Sequence, residues 1–415
     1  MADSRAQLTE TLDVLLRFGA LMLRAGDTAF RVREAMARLA GNMGIENLSL
    51  QVTLDAMSAT IRRQGETATL TCDVGAPGIN AARIGALERL AEASTPGLTP
   101  DALGQALDRI ERGSPLHALP TVAIAIGLAS GAFSYLNGGD LLATGAAVVA
   151  GAVGQAGRGL MFRHQLNQYA VTAVCAVIAS GLYCLIVFGL AGRGFSAPLA
   201  VGFISSALFL VPGFPLVASL LDLVQHQTLA GVARLFYAIM ILLAAAFGLS
   251  AVAAVAGLTD VSAPAAAVGP DAMTVVWRAV ASFAGGCGFA LLYNSPLRTV
   301  LTVGLLSLIG NELRLALHDL GLILPAATFV GALVVGLLAS LGKHWLHEPR
   351  ICFTVPGIII MTPGILAFRT IVLLNDGNVL AAIEAGAGCC FIVGGMALGL
   401  ATARFMSERR WIVER

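Results

Sequence analysis

Val211-Pro212-Gly213-Phe214-Pro215-Leu216 and Val355-Pro356-Gly357, the latter followed by Pro363-Gly364, set helix breakers inside apolar sequence. Proline removes a backbone N–H and glycine loosens the chain, so each stretch frees backbone polar groups to bind a solute. The two Val-Pro-Gly runs lie 144 residues apart, each in the fourth apolar segment of a group of five. Each group closes on a long segment rich in small residues, 229–257 and 378–403. Because five is odd, a second copy of such a unit would lie inverted in a membrane. Inverted repeats whose broken helices meet near the bilayer midplane are a recurrent plan of secondary transporters. A single Pro-Gly would read as a kink, which membrane helices tolerate. Two in matching places favour transport.

Around these stretches the chain is too apolar for an ordinary soluble protein: 57% of its 415 residues are hydrophobic and 12% charged. A bilayer crossing needs about 20 predominantly apolar residues. That ruler yields ten segments, near 118–136, 141–157, 168–192, 198–221, 229–257, 274–293, 297–312, 320–341, 351–368 and 378–403. With the start Met1-Ala2-Asp3-Ser4-Arg5 lacking the marks of a secretory signal, the amino terminus is expected in the cytosol. The cytosolic loops and tail then hold Arg158, Arg163, Arg298, Lys343, Arg350, Arg404, Arg409, Arg410 and Arg415, against Arg193, Arg314 and Arg369 outside. That excess suits the orientation and an even number of crossings, with the carboxyl terminus also cytosolic. Trp277, Trp345 and Trp411 fall near segment ends, where an indole is favoured.

Residues 1–113 differ in kind, holding about half of all the charges. Leu8, Leu12, Leu15, Leu16, Met22 and Leu23 recur at helical spacing, and Val32, Met36, Leu39 and Met43 mark a second helix. Leu48 to Leu54 and Ala68 to Cys72 alternate as half-buried strands, with Met57 to Arg63 leading into a Gln64-Gly65 turn. Ile84, Leu87, Leu90 and Ala91 mark a third helix, and Thr99-Pro100-Asp101 caps a fourth. The fold expected is a membrane all-α protein of about ten transmembrane helices in two five-helix inverted repeats with Pro-Gly-broken helices, preceded by a small cytosolic α+β domain. The divisions are 1–113, 114–260 and 261–415.

No zinc-protease, nucleophile-elbow, phosphate-loop or dinucleotide motif is present, so an enzyme is not expected. The seven cysteines show no metal spacing and no cofactor is expected. A net charge of +1 gives no case for nucleic acid. The partners expected are a small-molecule solute, protons and the lipid bilayer, with a homo-oligomer left open. A solute carboxylate would meet N–H groups at a half-helix start after Gly213 or Gly357. Pro212, Pro356, Pro363 and Gly364 complete that backbone site. Asp222, one short apolar stretch beyond the first break, is the first choice for an ammonium or a proton, and otherwise a loop acid beside Gln225-His226-Gln227. Arg369 is the matching cation of the second half unless it snorkels outward. Glu384 would carry protons only if it faces a cavity. Arg31, Arg33 and Glu34 are read as a solvated or docking face.

The chain resembles the threonine/serine exporter family over nearly its whole length. The residues that carry this are Gly19-Ala20-Leu21-Met22-Leu23-Arg24-Ala25-Gly26, Phe30-Arg31-Val32-Arg33-Glu34, Val211-Pro212-Gly213-Phe214-Pro215-Leu216 through Asp222, Leu229-Ala230-Gly231, Tyr293-Asn294-Ser295-Pro296, Ala326-Ala327-Thr328-Phe329, and Val355-Pro356-Gly357 through Pro363-Gly364. The resemblance implies a proton-driven inner-membrane exporter of small hydroxy amino acids, with a cytosolic domain ahead of about ten helices. Relatives with the two halves on separate subunits imply succinate-like dicarboxylates as the alternative solute. A membrane sensor whose cytosolic domain binds a ligand is the second alternative.

Overall fold

The computed structural model describes residues 2–191, 197–258, 271–346, 348–375 and 377–408. The loop 259–270, Arg193, Asp376 and the tail with Trp411 lie outside them, as do the side chains of Lys343 and Trp345.

Helices α1 (Ala2–Arg24) and α2 (Ala29–Asn42) precede a meander of β1 (Asn47–Val52), β2 (Ala56–Arg63) and β3 (Glu66–Asp73), followed by α3 (Ala81–Ala93) and α4 (Pro100–Glu111). The stretch expected only to lead into the turn is the central strand β2, antiparallel to both neighbours. Its Met57, Ala59 and Ile61 alternate inward, a period obscured in the sequence by Ser and Thr on the open face. Gln64 and Gly65 both take positive φ, 53° and 82°, as a two-residue hairpin turn requires. The sheet packs on α1, whose Leu12, Leu15, Phe18 and Met22 are fully buried. Gly19 permits this closeness, since a Cβ there would lie 2.5 Å from Met36 Sδ and 2.8 Å from Met57 Cε. Thr99 caps α4 with Pro100 in the first turn, as its sequence predicts.

The apolar part runs α5 (Leu119–Leu136), α6 (Leu141–Arg163), α7 (Gln168–Ala191), α8 (Ala197–Ser206), α9 (Gly213–Val224) and α10 (Thr228–Ala256). It continues with α11 (Ala272–Leu292), α12 (Leu297–Asp319), α13 (Leu324–Leu346), α14 (Ile351–Ile358), α15 (Gly364–Asn375) and α16 (Val379–Ser407). Among the described residues, seven helices are long and apolar enough to cross a membrane: α5, α7, α10, α11, α12, α13 and α16. The bent pairs α8–α9 and α14–α15, with angles of 62° and 54°, raise this to nine. The one expected segment left over, the second in order, is α6, a 23-residue helix that falls short of that measure, diluted by its glycines, Gln155, Arg158 and Arg163.

Small residues bring these helices together, as is usual in membranes. Gly248 of α10 lies on Ala173 and Ala176 of α7; Gly399 of α16 lies on Phe329 and Ala332 of α13. Gly154 of α6 meets Ala179 and Phe209; Gly310 of α12 meets Val335 and Met361. Even a swap is matched, for Gly151 faces Ser130 across α5–α6 while Gly286 faces Ser307 across α11–α12.

Candidate functional site at the two helix breaks

Each bent pair is joined by a 3-10 turn, Leu208–Leu210 or Ile359–Met361, and then two extended or irregular residues. The hydrogen bonds correspond step for step. Val211 N–H donates to Leu208 O at 2.9 Å, Gly213 to Val211 O at 2.8 Å and Leu216 to Pro212 O at 3.0 Å. Thr362 donates to Ile359 O at 3.0 Å, Gly364 to Thr362 O at 2.9 Å and Ala367 to Pro363 O at 3.0 Å. The counterpart of Pro212-Gly213 is therefore Pro363-Gly364. The half-helix expected to start after Gly357 starts instead at Gly364, because Pro356 and Gly357 are carried inside α14. There the Ser307 hydroxyl donates to Gly357 O at 2.9 Å, satisfying a carbonyl beside the proline.

The breaks cross in contact. A Cβ on Gly213 would lie 2.8 Å from Ile359 Cγ1 and 3.2 Å from Thr362 Cγ2, and one on Gly364 would lie 3.2 Å from Leu208 Cδ1. The recess beside them, lined by Val211, Gly364 and Phe368 among others, has a volume of about 20 Å³. That is room for a water and not for an amino acid.

An arginine reaches each break from the neighbouring long helix. Arg158 of α6 donates from Nη1 to Phe209 O at 3.4 Å, and Arg314 of α12 from Nη1 to Met361 O at 3.0 Å. One turn earlier on each helix stands an amide, Gln155 or Asn311, both buried. Asn311 donates to Ser282 Oγ at 2.8 Å. The Nε atoms of both arginines and the amide oxygens of both partners are buried without a hydrogen bond.

Where the α+β unit meets the membrane helices lies a second polar cluster. Asp222, at the end of α9, is fully buried, and its Oδ1 accepts from Ala29 N–H at the start of α2 at 2.8 Å. Arg234 of α10 donates to Gly26 O at 3.2 Å and Asp27 O at 2.7 Å, with Asp222 Oδ2 at 3.6 Å. Asp27, also fully buried, pairs with Arg31 at 2.8 Å, and Glu88 stands 3.1 Å from that guanidinium. Burial pushes the Asp27 carboxyl above its ordinary range although Arg31 pulls it back. Cys352 Sγ, at the start of α14, is 3.7 Å from Ala81 O. The unit thus sits on the near ends of both broken helices, and Arg31 belongs to a docking face.

The other expected residues are not brought to the breaks. Arg369 is half-buried on α15, and among the described residues no hydrogen bond or ion pair reaches it. Glu384 is exposed on α16 beside Ile383, which is also exposed.

A family described as putative threonine/serine exporter matches residues 13–256, and one described as Threonine/Serine exporter, ThrE, matches residues 278–406. The chain belongs to the threonine/serine exporter family. A probable threonine/serine exporter of Mycobacterium tuberculosis (strain ATCC 25618 / H37Rv) is 26% identical over 409 residues, covering 94% of this chain and 76% of its own. No solved structure matches. In this exporter the residues at the breaks that sequence reading missed are Gln155, Arg158 and Asn311, together with the placement of Arg314. Segment ends drawn at 157 and 312 put both arginines into loops, whereas α6 and α12 run on to Arg163 and Asp319. The signal was available in their common spacing, since Arg314 follows Asn311 as Arg158 follows Gln155.

Proposed function

We propose that this exporter moves threonine and serine out across the inner membrane in exchange for protons, along a path through the crossed breaks at Pro212-Gly213 and Pro363-Gly364. The observation that carries this is the matched pair of breaks in contact, in a chain of this family. Crossed half-helices present backbone groups and helix ends to a zwitterion where water is scarce.

The path divides a ten-crossing protein, with 1–113 as the cytosolic domain, 114–260 as the first half and 261–415 as the second, inverted half. Hydrogen bonds between distant loops support this. Leu116, before α5, donates to Asn294 Oδ1 after α11 at 2.8 Å, so both lie at one membrane face. An even number of crossings must separate them. Helix α6 lies back along α5, with Gly127 near Ala152 and Gly159 near Leu119, and so crosses as α5 does. Evenness then requires α8–α9 to cross once. Arg350, before α14, meets Glu408, after α16, at 2.7 Å, and the same reasoning makes α14–α15 cross once. Both ends of the membrane part then share the face of the α+β unit, which the excess of Lys and Arg assigns to the cytosol.

Asp222 is the proton-coupling candidate, because it alone of the expected acids is buried among charged partners. Pro356-Gly357 lies one turn before the second break, while Arg369 and Glu384 stand away from the contact. The test is flux of labelled threonine and serine into inside-out proteoliposomes. A pH gradient of the exporting sense should accelerate uptake several-fold, and collapsing it should abolish the gain. Uptake of succinate with none of threonine would overturn the substrate.

A further inference from the structure

Arg158 and Arg314 are half-buried among helices with their Nε atoms out of water, and a guanidinium so placed calls for an anion, since burial penalises the charge unless something pairs with it. Among the described residues, no carboxylate lies within ion-pair distance of Arg158 or Arg314. Glu312, two residues before Arg314, makes no ion pair with it and keeps a buried Oε1 without a hydrogen bond. Each arginine spends one N–H on the carbonyl before a break and keeps a buried, unbonded Nε. Arg158 also stacks over Phe162, 5.2 Å from the ring centroid, which leaves its in-plane N–H groups free of that contact. Each has, one turn away, an amide oxygen without a partner, suited to an ammonium or hydroxyl.

The two come to the touching turns from opposite sides. Arg158 lies five residues before the end of α6, which packs on Leu119 at the side of the α+β unit. Arg314 lies five residues before the end of α12, whose start follows Asn294, which meets Asn80 of that unit, so that its end is on the opposite side. At 1.5 Å per residue each is about 7–8 Å along the axis from its own helix end. We propose that Arg158 with Gln155 and Arg314 with Asn311 form two successive binding stations for the α-carboxylate of the exported amino acid, one on each side of the crossed breaks. This rests on the transport reading above. The guanidinium fork binds the carboxylate, and the amide oxygen takes the ammonium or hydroxyl. Transfer between stations requires the contact of Gly213 with Ile359 and Thr362 to part.

The experiment measures the threonine KM separately at each face, in vesicles of both orientations, for wild type, Arg158→Gln and Arg314→Gln. Arg158→Gln should raise KM tenfold or more at the cytosolic face and little at the outer face, and Arg314→Gln the reverse. Threoninol, which lacks the carboxylate, should compete poorly with threonine in wild type. Should either glutamine variant fail to fold, Arg158→Lys or Arg314→Lys keeps the cation and should show the same face preference to a smaller degree. Folded variants with wild-type KM at both faces, or with equal changes at both, would overturn the stations, as would threoninol competing as well as threonine. Wild-type vesicles inert to threonine and serine but active with succinate would instead sink the amino-acid reading, and the same face-resolved KM for succinate would still decide the stations.

Discussion

At the scale of single residues, Gly213 shows how tightly the breaks are closed. A methyl group at this position would overlap Ile359 Cγ1 at 2.8 Å. Overpacking of this kind costs about 1–3 kcal/mol, so Gly213→Ala should lower the thermal midpoint of the detergent-solubilised protein. Adding Ile359→Ala removes the overlapping atoms, and the double variant should lose about 1 kcal/mol less than the two single losses added together. Strict additivity would mean that these residues do not meet. The proline and glycine of each break were legible in the sequence, because breakers inside apolar runs stand out by type. Their pairing was not. Val355-Pro356-Gly357 repeats the letters of Val211-Pro212-Gly213, but Thr362-Pro363-Gly364 repeats its hydrogen bonds, and the preceding three-residue turn that decides between them has no sequence signature.

At the scale of elements, the junction of α2 with α9 and α10 ties the α+β unit to the membrane helices. Asp222 supplies an acceptor to the first turn of α2, and Arg234 holds the carbonyls that precede it. Asp222→Ala leaves both the Ala29 N–H and the Arg234 charge buried without this partner, a loss of about 3–5 kcal/mol for a buried pair broken on one side. The expected result is faster hydrogen exchange in residues 24–34, read by mass spectrometry, with exchange in α5 and α11 unchanged. Asp222→Asn keeps an acceptor oxygen, so it should protect residues 24–34 better while losing acceleration by the pH gradient. If both variants leave exchange in 24–34 as in wild type, Asp222 does not hold the junction. Its position beyond a break marked Asp222 in the sequence as a residue to watch. Its partner stands 193 residues earlier, a separation over which periodicity carries no information.

At the scale of the whole molecule, the two loop contacts support the proposed ten crossings, and α6 is the element on which that reading turns. The apolar run 141–157 marks α6 in the sequence, but over a full crossing length its hydropathy falls short, since the groups that dilute it, Gln155 and Arg158, are the polar lining of the proposed path. A helix that contributes to a polar path must look less apolar than one that meets only lipid, so the measure is weakest for the helices nearest the function. Labelling of single cysteines, in a chain whose seven native cysteines are replaced, decides the matter. A cysteine at Gly138, between α5 and α6, and one at Gly321, between α12 and α13, should react with a membrane-impermeant maleimide from outside intact cells. Cysteines at Gln165 and Gly44 should react only after the membrane is opened. Gly138 and Gln165 on one side would mean that α6 does not cross, and Arg158 would then lose its place on the cytosolic side of the breaks. Opposite sides would put the two arginines in opposite halves of the membrane, the one arrangement in which a carboxylate leaving the first is carried outward to the second.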